Sequence, residues 1–110
     1  MTPRKQYRQW PSLVKIFKIS ETAVGSERDR LYGFDLGRDL IDLSLIDANT
    51  SVPGDQAFNY SGTTQQANSI WTIRSGSNII VRGDVNGDTA QDFEIMVIGV
   101  ESLSTENFIA

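Results

Sequence analysis

Acidic and amide side chains alternate from residue 84 to 88 and return at 92, within GDVNGDTAQDFEI (83–95). Asp84, Asn86, Asp88 and Asp92 occupy positions 1, 3, 5 and 9 of a D-x-N-x-D-x-x-x-D loop. Calcium takes about six to eight hard oxygen ligands at about 2.3–2.6 Å, and alternate side chains of a tightly curled loop converge on one ion. In such a loop the carbonyl of Ala90, at position 7, adds a ligand. Three carboxylates this close repel one another unless a cation lies between them. The loop is not a helix–loop–helix calcium site. Position 6, normally Gly, is Thr89, and position 12, normally a bidentate Glu, is Ile95. Two readings are open: a calcium site between strands, or a polar turn of the kind Asp and Asn form with their own backbone.

A second acidic group, Asp35, Asp39, Asp42 and Asp47, lies in FDLGRDLIDLSLIDANT (34–50). Asp39 and Asp42 are three apart and would face opposite sides of an ideal strand. Their plain reading is solvated loop edges. Carboxylate pairs are plentiful, but nothing selects one for glycosidase-like chemistry. Trp10, Trp71, Phe58, Tyr60, Phe93 and Phe108 read as core or edge packing, with a glycan-binding platform as the alternative.

The chain has no cysteine and no histidine. Disulfides, thiolate metal sites and His-dependent nucleophiles are excluded, as is zinc chemistry of the HExxH kind. No enzyme is expected. The charge is uneven: residues 1–20 carry Arg4, Lys5, Arg8, Lys15 and Lys18 and no acid, whereas the remainder has five basic against fourteen acidic residues. An acidic body argues against nucleic acid and suits a cation. No apolar run approaches the roughly 18–20 residues of a membrane helix. Lys15 and Lys18 interrupt the apolar stretch 13–19, so no cleaved N-terminal leader is expected.

The elements that must position these residues read as strands. With 110 residues the chain suits one core. Residues 1–30 read as a basic lead-in with one strand at 13–19. Residues 31–110 read as an all-β domain of short antiparallel strands, at 31–34, 39–46, 57–61, 69–74, 77–82 and 93–100. Ser75-Gly76 is a hairpin signal, and 47–56 (DANTSVPGDQ) is a loop. A short helix is expected near 101–107, capped by Ser102 or Ser104.

Three segments, taken in order, resemble one family. LYGFDLGRDLIDLSLIDANT (31–50), GDQAFNYSG (54–62) and VRGDVNGDTAQDFEIMVIGVESLSTENFIA (81–110) are similar to the C-terminal end of serralysin-type secreted metalloproteases. There, a stretch like the first closes calcium-binding RTX repeats, and one like the third ends the chain. Gly33 stands where the family usually has Asp, and Thr89 where it usually has Gly. The protease domain and the glycine-rich repeats are missing.

The resemblance implies a β-roll cap or sandwich-like domain that is bacterial, secreted and non-catalytic. It implies calcium as cofactor, with Asp39 and Asp42 added to the ligands of the 84–92 loop. It also implies a C-terminal signal for type I secretion machinery, here ending Glu106-Asn107-Phe108-Ile109-Ala110. Calcium is scarce in the cytosol and plentiful outside, so such a chain folds after export, metal binding becoming folding free energy. The alternatives are a calcium-independent protein- or glycan-binding module, or a remnant cap. Without repeats to cap, an apolar edge is expected that self-associates or is covered by residues 13–19.

Overall fold

The computed structural model describes residues 16–19 and 28–110. The basic lead-in, Trp10, Lys15 and most of the 20–30 loop lie outside the described residues.

The described residues are all-β, with eight strands in two sheets. β1 (Ile16–Lys18), β3 (Leu40–Asp42) and β8 (Phe108–Ile109) form a small sheet in the order β1-β3-β8. The second sheet runs β2-β7-β6-β5-β4, from β2 (Asp29–Leu31), β7 (Phe93–Val97), β6 (Asn78–Gly83), β5 (Ser69–Ser75) and β4 (Asn59–Tyr60). Among the described strands, antiparallel pairing is confined to β5–β6 and β6–β7. The pairs β1–β3, β3–β8, β2–β7 and β4–β5 are parallel. The short strands are thus mostly parallel, because the chain alternates between the sheets like a coil before it enters the β5–β7 meander.

The segments expected at 31–34 and 39–46 are shorter or shifted. β2 precedes Gly33, which sits at φ 74° and bends the chain away. β3 stops at Asp42, whose Oδ1 accepts the Ser44 N–H at 2.9 Å and the Ser44 hydroxyl at 2.6 Å, turning the backbone out of the strand. Ladder-like bonds still flank it, from Ile19 N–H to Asp42 O and from Leu43 N–H to Ile109 O. β1 lies along one edge of β3. Near the C-terminus the expected helix is a single 3₁₀ turn, Thr105–Asn107, with Ser104 as its cap.

The core lies between the sheets. Phe17, Ile19, Ile41 and Leu43 come from the small sheet and its flanks, and Leu31, Ile70, Ile79, Val81, Phe93, Ile95 and Val97 from the large one. The alternation of strand side chains puts Val81 opposite Ile95, and Ile79 opposite Val97. The outer face of the large sheet carries a polar row. Glu94, 2% exposed, accepts Arg82 Nε at 2.7 Å and Arg28 Nε at 3.0 Å, tying β7 to β6 and to the start of β2. Aromatic side chains pack as expected: Phe58 meets Phe93 edge-on at 5.6 Å, and Tyr60 tilts against Phe108 at 5.1 Å. Among the described residues no helix is long and apolar enough to cross a membrane.

Candidate metal centre

The acidic loop is the connection between β6 and β7. Its base is closed by the Gly83–Phe93 pair and by the Asp92 N–H donating to Gly83 O at 2.7 Å. A Cβ on Gly83 would lie 2.2 Å from the Phe93 ring, so only glycine lets Phe93 lie across the strand and seal the core beneath the loop. Asp84 is fixed at the inner end, where its N–H donates to Ser69 O at the start of β5.

From there the loop curls by successive side-chain bonds to the backbone two residues on. Asp84 Oδ1 accepts the Asn86 N–H at 3.2 Å, Asn86 Oδ1 the Asp88 N–H at 3.2 Å, and Asp88 Oδ1 the Ala90 N–H at 3.0 Å. The alternating D-x-N-x-D pattern therefore builds the turn itself. The same curl brings carboxylates together: Asp84, Asp88 and Asp92 each offer an oxygen, all within 4.8 Å of one another. The polar-turn reading and the cation reading describe one geometry.

Asp84 is wholly buried, and Asp88 is exposed. Burial pushes the Asp84 carboxyl up. Four backbone donors oppose this, the N–H groups of Asn68 (3.1 Å), Thr89 (3.0 Å), Asn86 (3.2 Å) and Gly87 (3.2 Å). With Asp92 also hydrogen-bonded to it, Asp84 ends below the ordinary carboxylate range. Asp92 goes the other way. Burial raises it, and although the Val85 N–H at 2.8 Å favours its anion, the hydrogen bond to Asp84 and the charges of Asp84 and Asp88 keep it raised. Asp92 holds a proton more readily because two negative neighbours face it, and a divalent cation would relieve that repulsion.

The residues that buttress the loop carry no mark in the sequence. Thr50 donates from both its N–H (2.9 Å) and its hydroxyl (3.2 Å) to Val85 O, Asn68 Nδ2 donates to Ala48 O at 2.9 Å, and Gln65 Nε2 donates to Thr89 O. They come from two other loops, and no local spacing marks them. Asp39 and Asp42 lie elsewhere, before and within β3. Asp39 Oδ2 accepts the Asp35 N–H at 2.9 Å, and Asp42 holds Ser44. Among the described residues the carboxylate cluster contains neither.

The donors fit a hard cation. All are oxygens, three are carboxylates, and the exposed rim at residues 86–90 leaves room for water to complete a shell. Fold and loop define a two-sheet β-module with one acidic, cation-suited hairpin connection. The chain belongs to the peptidase M10 serralysin C-terminal family, whose model matches residues 13–110. In the secreted metalloproteases that carry it, this domain is the non-catalytic part. No curated protein matches the chain.

Proposed function

We propose that this protein is a non-catalytic, calcium-binding module of a secreted, RTX-like protein, acting as a folding cap and carrying a type I secretion signal at its C-terminus. The observation that carries the calcium reading is the convergence of Asp84, Asp88 and Asp92 within 4.8 Å on a pre-curled loop. In this reading Asn86 and the Ala90 carbonyl supply further oxygens. Asp39 and Asp42 hold the turns at either end of β3 rather than this ion.

The secretion reading draws on family membership and on where the last residues sit. Phe108 and Ile109 form β8 against β3, and Ala110 packs on the core. A C-terminal signal built into a sheet is legible to an exporter only while the chain is unfolded. A calcium site that adds its binding energy to folding delays folding until the chain meets calcium outside the cell. The reading places the protein in the extracellular space.

The test is thermal unfolding in calcium, in magnesium and in excess chelator. A ligand that binds only the folded state stabilises it by about 2.7 kcal/mol at a hundredfold excess over its dissociation constant. A higher Tm in calcium is expected, unmatched by magnesium and lost in the Asp84→Ala/Asp88→Ala double variant. Asp88→Ala alone, at the exposed rim, should lose the calcium response while its Tm in chelator stays close to the parent's. Identical curves in calcium and chelator for the parent protein would sink the calcium reading.

A further inference from the structure

We propose that the Asn86–Gly87 step is a deamidation site, through which the acidic loop changes its own charge and spacing. It is the one Asn-Gly step in the chain. Residues 86–90 are exposed, and Gly87, at φ 85°, has no side chain to shield its backbone nitrogen. The bond from the Asp88 N–H to Asn86 Oδ1 folds the Asn86 side chain back along residue 87. Among the described residues nothing accepts a hydrogen bond from its Nδ2, the nitrogen that must leave. Two other asparagines differ on both counts. Asn68 and Asn107 have their Nδ2 held, by Ala48 O and Leu36 O, and each is followed by a residue with a side chain, Ser69 and Phe108.

The chemistry needs only water. The Gly87 backbone nitrogen loses its proton and bonds to Cγ of Asn86, the Cγ–Nδ2 bond breaks, and ammonia leaves with a proton from solvent. Water then opens the five-membered imide at one carbonyl or the other, giving aspartate or isoaspartate. In total one amide and one water become one carboxylic acid and one ammonia, with no change of oxidation state. The Gly87 N–H must first leave Asp84 Oδ1, 3.2 Å away, so opening of the loop limits the rate. Aspartate at this position adds a fourth carboxylate to the cluster. Isoaspartate lengthens the main chain by one carbon and breaks the every-second-residue alternation. Protection by calcium rests on the cation reading above, since a ligated Asn86 Oδ1 cannot turn toward Gly87.

The full chain is incubated at mildly alkaline pH in chelator and, separately, with calcium alone, then followed by intact mass and peptide mapping. The expected result in chelator is conversion at residue 86 ahead of every other asparagine, with both products present. Calcium slows it several-fold, and Asn86→Gln, which would need a less favourable six-membered ring, abolishes it. Residue 86 unchanged while another asparagine converts, or equal acid formation in Asn86→Gln, overturns the proposal. Conversion at the same rate with and without calcium upholds the modification site and overturns the calcium reading instead.

Discussion

Thr89 is the residue at which the acidic loop is least comfortable. It sits at φ 68°, a left-handed conformation that β-branched residues disfavour. That conformation aims its N–H at Asp84 Oδ2 and leaves its carbonyl to Gln65. Strain of this kind costs roughly 1–3 kcal/mol, and glycine in its place gives back about 0.5–1 kcal/mol through the freer unfolded chain. Thr89→Gly should therefore stabilise the protein by about 1 kcal/mol, measured by chemical denaturation in chelator; a loss of stability would show that the threonine side chain makes up for its backbone. The carboxylates give the loop a pH dependence. Asp92 titrates above its ordinary range, so on its own it favours the folded state below its unfolded pKa, and that gain is lost as pH rises through the folded value. Asp84 titrates below its range and contributes stability above its unfolded pKa that is lost as pH falls through the folded one. The two oppose each other without metal. A bound cation needs both ionised, so the calcium-induced rise in Tm should shrink as pH falls, first through the raised Asp92 titration. A calcium response constant across that window would place the ion away from Asp92.

The β6–β7 hairpin turns these residues into a site, and its register depends on Gly83. The glycine faces the core opposite Phe93, which fills the space a side chain would take. Gly83→Ala forces the ring or the strand aside, and overpacking of this sort costs typically about 1–3 kcal/mol. Because the displaced strand end is the base of the loop, calcium binding should weaken in the same variant; denaturant unfolding and a calcium titration would each detect it. Unchanged values in both would mean that Phe93 has another place to go. Such elements were unevenly legible in the sequence. The β5–β6 hairpin announced itself through Ser75-Gly76, with Gly76 at φ 63°, because turn chemistry is local. The acidic loop was readable for the same reason, its alternating spacing building the turn that gathers the carboxylates. The parallel strands were not. β1, β3 and β8 are three, three and two residues long, and their partners are set by distant segments meeting across the core. Nor did the pattern show that Asp42 would end β3 early, since an aspartate reads alike as strand edge or as turn until the following Ser44 is seen to bond it.

The two sheets share one core, so the acidic hairpin in the large sheet and the C-terminal strand in the small one should belong to a single cooperative unit. β8 is short, yet Phe108 packs on Tyr60, Leu43 donates its N–H to Ile109 O, and Ala110 touches the core cluster. Removing residues 108–110 exposes apolar surface on both β3 and the core. Burial of partly covered side chains of this size contributes on the order of 2–3 kcal/mol, and for a domain near this length each 1 kcal/mol moves Tm by roughly 4–8 °C. The truncated chain should thus melt about 10–20 °C lower in chelator. In the proposed reading calcium acts at the other sheet, and for sites without shared partners free energies add. The calcium-induced gain in unfolding free energy should therefore be the same in the truncated and intact chains, with one transition in each. This distinguishes a single unit from a coil-like half docked on a meander. In the second case truncation would melt the small sheet alone, giving a separate early transition that calcium leaves in place. A single transition with an equal calcium increment would mean that the last residues of the chain and its acidic loop stabilise the same folding event.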